Sequence, residues 1–379
     1  MKRTVFALLA LSCAALVFFG GCRGDGDAVP IGAIFPLSGP VAFYGTESRD
    51  GALLALEEIN AAGGLLGSRL RMLSEDDEGN SELTMNAFTM LTSRHNVGIV
   101  LGSSTSGPTL AVSTLAQQLG VVLISPSATN INVTNAGDYV FRACFIDPFQ
   151  GVVGAEFAYN SLGSRRAAIL FDAGADYNSG LADAFRTYFR GLGGSIVADE
   201  AYQTGAVDFN AQITRIRNAN PDVIYLPNYV HDVALQIRQI RAQGINVPLV
   251  GGDGWDGLID QIGDEALNGF WSAGFAADTT EPRGAAFVRA FEARFNRPAS
   301  QFAALGYDTM MIVVEGIRAA GSFDPALVKD AMARTDGQFI TGNIRFDADR
   351  NPIKGAAILE IVRRDGSMAN AYRTTVNPR

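Results

Sequence analysis

From residue 29 onward, short apolar runs alternate with stretches whose apolar residues recur every three or four positions. Val29 to Phe35 is such a run and predicts a strand. Leu53, Leu54, Leu56 and Ile59 then share one helical face within Glu47 to Ala62, and Gly63 and Gly64 stop that helix. Strands follow over Leu70 to Leu73, Val97 to Leu101 and Val121 to Ile124, with helices over Glu82 to Thr92 and Pro108 to Leu119 between them. After a loop the alternation resumes. Strands are expected over Ala167 to Phe171, Ser195 to Ala198, Val223 to Leu226 and Leu249 to Val250, and helices over Leu181 to Phe189, Phe209 to Arg217 and Val233 to Gln243. Apolar strands alternating with helices imply an α/β fold with parallel sheets covered on both faces. Two such series imply two doubly wound parallel-sheet lobes. The mostly apolar stretch Tyr139 to Asp147 reads as the first crossing between them, an ordered hinge rather than a flexible linker. A later helical block, Phe287 to Phe295 and Ala303 to Ala319, is expected to return to the first lobe. The division expected is 29–143 with about 276–341 for lobe 1, and 144–275 with about 342–379 for lobe 2.

The first residues follow a different pattern. Lys2 and Arg3 precede an almost wholly apolar run, Thr4 to Phe19, which Gly20, Gly21 and Cys22 end. This is an export signal, short for a spanning helix. One reading is an ordinary signal peptide that contains a cysteine. The other is a bacterial lipoprotein signal over residues 1–21, cut before Cys22, whose thiol is then acylated, with 22–28 as a Gly-rich tether. Phe19 stands where leucine is commonest in such signals. Cys144, between Ala143 and Phe145, would then be the one unmodified thiol and reads as a small buried hydrophobe.

A length of 379 residues suits two domains and a short appendage, and 47% hydrophobic with 18% charged residues excludes disorder or coiled coil as a whole-chain reading. The net charge of -9 argues against a nucleic-acid partner. Two histidines, His95 and His231, and three cysteines leave little for Cys/His zinc sites or histidine-based hydrolases. Nucleotide-binding glycine fingerprints are missing after the first strand, and neither histidine is placed to serve a Gly-x-Ser-x-Gly nucleophile. No enzyme, cofactor or metal is therefore expected.

Ligands of open parallel sheets sit beyond the carboxyl ends of the strands. In the first series those positions carry hydroxyls, Ser103 to Ser106 and Ser125 to Thr129, with Ser106 just before a helix. Hydroxyls and free helix amides suit an anion such as a carboxylate. In the second series they carry Tyr229 and Asp253, an aromatic face and an acid that together suit a cation. Ser106 and Thr129 could equally be helix caps, Asp253 a turn residue, and Tyr44 and Phe302 core aromatics.

The arrangement resembles the type I periplasmic binding proteins of the leucine/isoleucine/valine-binding family. The resemblance runs from Pro30 to about Glu360. It rests on the order and spacing of Pro36 to Gly45, Gly51, Glu58 to Gly64, Asp76-Asp77, Gly102 to Gly107, Ser125 to Thr129, Asp176-Tyr177, Asn220 to Tyr225 and Gly306 to Asp308. It implies a monomeric extracytoplasmic protein, which the lipoprotein signal read above would anchor by lipid, that captures an amino acid, branched-chain or similarly apolar, and delivers it to an ABC permease. By position it implies that Ser106, Ser127 and Thr129 bind the carboxylate, Ser127 mainly through its backbone. Tyr229 and Asp253 match the ammonium-binding pair, with aspartate where branched-chain proteins typically have glutamate. Tyr177 matches an aromatic that meets the ligand from the second lobe, and Asp147 an acid used for the amino group in related receptor domains. Tyr44 and Phe302 fall at side-chain pocket positions, with Trp255 expected to join them. The disulfide of the branched-chain prototype is absent, Gly79 and Thr105 standing near its positions. The alternative is a sensor of the same fold that binds an amide, urea or aromatic acid.

Overall fold

In the computed structural model, which describes residues 28–378, the first apolar run becomes β1 (Val29–Phe35). The predicted signal and Cys22 lie outside the described residues. α1 (Ala42–Ala61) leads to β2 (Leu70–Asp76), α2 (Ser81–Arg94) to β3 (Ile99–Gly102), and α3 (Ser106–Leu119) to β4 (Val122–Ser125) and β5 (Val140–Arg142). These form a five-stranded parallel sheet in the order β2-β1-β3-β4-β5. Their apolar runs are buried on both faces, as a sheet covered by helices on either side requires.

The chain enters the second lobe through α4 (Asp147–Glu156), and the same winding repeats. β6 (Arg166–Asp172), α5 (Asp176–Gly191), β7 (Ser195–Tyr202), α6 (Asn210–Ala219), β8 (Val223–Leu226), α7 (Val230–Ala242), β9 (Leu249–Gly251) and β10 (Gly269–Ala273) follow. The parallel strands again lie in first-lobe order, β7-β6-β8-β9-β10. Helices α8 (Pro282–Phe295), α9 (Gln301–Ala320) and α10 (Pro325–Met332) then return to the first lobe, where α9 packs on α1.

Two features depart from the expected plan. The second sheet is mixed: β13 (Ala356–Arg364) adds antiparallel to β10, and β14 (Ser367–Val376) pairs antiparallel with β13. Their turn is Asp365-Gly366, both at positive φ (51° and 85°), the two-residue geometry that aspartate and glycine favour. The second concerns the last crossing, expected near residue 342. Instead β11 (Asp336–Phe339) and β12 (Gly342–Arg345) form a small hairpin, and Ile344 and Phe346 are buried in the first lobe's core. Arg350 also donates to the carbonyls of Val140 and Thr134, so the chain leaves the first lobe only between Asn351 and β13. The first crossing likewise shortens to residues 143–146, because Val140–Arg142 is a strand of the first sheet. Cys144 in that crossing is buried, and burial pushes its thiol up to about 12.

The glycines of the sequence pattern have a packing cause. A Cβ on Gly51 would stand 1.9 Å from the Ala303 carbonyl oxygen, and one on Gly306 would stand 2.0 Å from that of Ser48. Helices α1 and α9 therefore touch backbone to backbone, glycine against main chain on both sides. Asp308, two residues after Gly306 on α9, holds the segment before β12: its carboxylate accepts from the amides of Ile340 and Thr341. Forcing a methyl into the α1–α9 contact should cost about 3 kcal/mol, as overpacking does. Gly306→Ala is thus expected to lower the urea midpoint clearly. Gly191→Ala, where a Cβ meets nothing within 4 Å, should leave it unchanged or slightly raised. Equal midpoints for the two variants would refute the close-packing account.

Candidate functional site

Because the two sheets wind alike, each has a switch point where successive connections part to opposite sides, between β1 and β3 in one lobe and between β6 and β8 in the other. The segments leaving these strands face each other across the gap between the lobes. Tyr44, Ser104, Ser106, Ser127 and Phe302 line it from the first lobe, and Tyr177, Tyr229, Asp253 and Gly254 from the second. With the lobes together they enclose about 10 Å³, room for about one water molecule. A ligand the size of an amino acid enters only if the lobes part.

The first-lobe side is built of hydroxyls and amides. Gly102 ends β3 at φ +117°, where a Cβ would stand 1.9 Å from the Ile34 carbonyl oxygen, so the loop can turn tightly against β1. Ser106 is then the first residue of α3, whose N-cap Thr105 makes no capping hydrogen bond through its side chain. The first-turn amides of α3 remain available to an anion. Ser106 Oγ accepts from the Asn130 amide at 3.2 Å, and Ser127 Oγ donates to the Ser104 carbonyl at 2.7 Å.

The second-lobe side is acidic and aromatic. Asp253 begins a short turn after β9 and is 4% exposed. Its Oδ1 accepts from the Tyr177 hydroxyl and from Gln150 Nε2, both at 2.9 Å. It is therefore more than a turn residue. Burial pushes its carboxyl up to about 6, and the Gln150 and Tyr177 donors oppose that rise. The Tyr177 and Tyr229 rings stack beside it with centroids 4.9 Å apart, and Tyr229 meets Tyr44 at 5.4 Å. Tyr44 in turn packs edge-on against Phe302 at 4.8 Å. One pole thus offers neutral donors, the opposite pole an acid with aromatic faces. A group with a carboxylate at one end and an ammonium at the other matches both.

Seven of the expected residues meet at the gap: Tyr44, Ser106, Ser127, Tyr177, Tyr229, Asp253 and Phe302. Three stand elsewhere. Thr129 and Asp147 lie behind the lining, fully buried. Neither Asp147 oxygen nor the Thr129 hydroxyl has a partner of regular hydrogen-bond geometry, although Thr129 is close enough to offset part of the burial effect on that carboxyl. Burial still pushes Asp147 up to about 8, and the nearby Asp253 carboxyl adds to the rise. Trp255 does not join the pocket. Its indole lies in the second-lobe core, donating to the Leu226 carbonyl at 2.9 Å. Gly251 makes that possible, since a Cβ there would come within 2.0 Å of the indole.

The lining also includes Ser104 and Gly254, and Gln150 is a partner of Asp253. Ser104 was legible as one more hydroxyl in the loop after β3. Gln150 follows Asp147 by three positions, one helical turn along α4. His95 is an exposed C-cap of α2, and His231 lies on α7 with Nε2 3.3 Å from Asp232; neither lines the gap. Among the described residues no cluster of metal-ligating side chains and no helix long and apolar enough to cross a membrane is found.

Known proteins share this architecture. The sequence model of the periplasmic binding protein family matches residues 28–367. A Leu/Ile/Val-binding protein of Rhizobium johnstonii is 33% identical over 339 residues, 89% of this chain and 90% of that protein. A leucine-, isoleucine-, valine-, threonine- and alanine-binding protein of Pseudomonas aeruginosa is 29% identical over 350 residues, covering 92% and 93% of the two chains. Among solved structures, the branched-chain amino acid transporter substrate-binding protein of Streptococcus pneumoniae, in complex with isoleucine, superposes with a TM-score of 0.85 at 34% identity, covering 93% of this chain and 100% of that one. A benzoate-bound solute-binding protein of R. palustris, at 22% identity and a TM-score of 0.84, shares the fold. The chain belongs to the periplasmic binding protein family and is a solute-binding protein of the branched-chain amino acid ABC transporter type.

Proposed function

We propose that the protein captures an apolar L-amino acid, branched-chain or similar, between its lobes and delivers it to an ABC permease. The observation that carries this reading is the pairing of poles: a buried Asp253 carboxyl beside tyrosine faces, set against the hydroxyls and free helix amides of the first lobe. Ser106, Ser127 and the first turn of α3 hold the carboxylate, with Thr129 supporting them from behind. Asp253 and the faces of Tyr229 and Tyr177 hold the ammonium. Asp147, buried behind the lining, is the reserve acid rather than the ion-pair partner. Tyr44 and Phe302 form the wall against the ligand's side chain, which favours apolar groups because their rings offer it no free charge. The relatives whose names include leucine, isoleucine and valine binding support the same ligand class.

The protein acts as a monomer outside the cytoplasm, held to the membrane by lipid on Cys22. The positive start, the apolar run and the two glycines before Cys22 support that placement. Cys22→Ala is expected to move the protein from the membrane fraction to the soluble fraction, as a single covalent anchor requires. A variant that stays membrane-bound as tightly as wild type would rule the lipid anchor out.

The ligand poles are tested by calorimetry with L-leucine. Asp253→Asn leaves a buried ammonium without its counter-charge and should cost about 3–5 kcal/mol of binding. Ser106→Ala removes one hydroxyl from a charged acceptor and should cost about 1.5–3 kcal/mol. An Asp253→Asn protein that binds L-leucine as well as wild type would remove Asp253 from the ammonium site.

A further inference from the structure

We propose that Tyr44 and Gln301 form a latch in the first lobe that grips the turn 253–256 of the second lobe on closure, and so sets how long the ligand stays bound. The proposal rests on the amino-acid reading of the same cleft, and it gives the Tyr44 hydroxyl and Gln301 the role of holding the closed form, while the Tyr44 ring remains part of the wall.

Three donors from the first lobe converge on this one turn. The Tyr44 hydroxyl donates to the Gly254 carbonyl at 2.8 Å. Gln301 Nε2 donates to the Asp253 carbonyl at 3.1 Å, and the Gln301 backbone amide, at the start of α9, donates to Asp256 Oδ2 at 3.0 Å. The Tyr44 oxygen also accepts from the Val230 amide at the start of α7, at 2.8 Å, so it is tied to the second lobe in both directions. All the side chains in this set are buried: Tyr44 is 1% exposed, Gln301 3% and Asp256 8%.

The turn is held equally firmly from its own side. The Gly254 amide donates to the Tyr177 hydroxyl at 3.1 Å, and that hydroxyl donates to Asp253 Oδ1. Gly254 is therefore pinned through its carbonyl by one lobe and through its amide by the other, immediately beside the acid. Gln301 Oε1 accepts from the Gly274 amide at 2.8 Å, which links the latch to the second crossing between lobes. On the proposal, the Tyr44 and Gln301 bonds to the turn belong to the closed form, made late on the way to closure and broken early on opening. Such contacts act on the rate of release and leave the rate of encounter nearly unchanged. Losing the bonds of either side chain should change that release rate by about fivefold to tenfold.

The test is stopped-flow fluorescence with L-leucine, because Trp255 lies within the gripped turn. Tyr44→Phe keeps the ring against Phe302 and Tyr229 and removes both hydroxyl bonds. Gln301→Ala removes the side-chain bonds and keeps the backbone donor to Asp256. Each is expected to raise the dissociation rate about fivefold to tenfold, with the association rate within about twofold of wild type. Dissociation rates within about twofold of wild type in both variants, or an effect carried by association alone, overturn the latch. A wild-type protein that ignores L-leucine overturns the amino-acid reading instead. The latch is then read without ligand, from spin labels on Leu83→Cys and Val207→Cys in a Cys22→Ala background. Tyr44→Phe should shift those distances toward longer separations, and an unchanged distribution overturns the latch.

Discussion

A carboxylate removed from water is the constraint on which this site depends. Asp253 sits in a nearly dry gap, and burial raises its pKa to about 6. It is kept ionisable by the Gln150 amide and the Tyr177 hydroxyl, which use one of its oxygens and bring no positive charge. A buried anion in this setting is stabilised most by a cation that arrives and stays dry. Every lining group around it serves that condition. On the proposed reading, the tyrosine faces exclude water and favour an ammonium, and the first lobe supplies the opposite pole, so that a ligand charged at both ends would leave no charge unpaired.

The repeated winding explains how the two poles come together. Both sheets place their first and third parallel strands side by side, so both leave a switch point at the carboxyl end. Short strands with no polar side chains in their centres bring only their terminal loops into play, and those loops carry Ser104 and Ser106 in one lobe, Tyr229 and Asp253 in the other. The glycine contact between α1 and α9 then fixes Tyr44, near the start of α1, against Phe302, near the start of α9. Packing at the α1–α9 contact thus sets the pair of rings that lines the gap.

Much of this was legible in the sequence, for reasons of period. β1, β4, β6 and β8 are continuous apolar runs, and their positions follow from the pattern within a residue or so. The strand-end rule then found Ser106, Tyr229 and Asp253. What escaped depends on contacts distant in sequence. Trp255 follows a strand as a pocket residue would, but the bare backbone of Gly251 draws its indole into the core. β14 is the edge strand and carries mixed polar residues, and the second half of β13 is polar too, so their periodicity is weak, although the Asp365-Gly366 turn marks a hairpin. Gln301 precedes Phe302 with nothing local to mark it; only the approach of the second lobe gives it the Asp253 carbonyl as a partner.

The most direct measurement of the central claim leaves the protein unaltered and changes the ligand's poles one at a time. Calorimetry would compare L-leucine with leucinamide, which lacks the carboxylate, and with 4-methylpentanoate, which lacks the ammonium. If both poles are engaged in a closed, dry cleft, each analogue should bind at least about 100-fold more weakly than L-leucine, the cost of leaving a buried charged partner unmatched. If 4-methylpentanoate binds as tightly as L-leucine, Asp253 holds no ammonium and the opposed-pole account of this cleft is wrong.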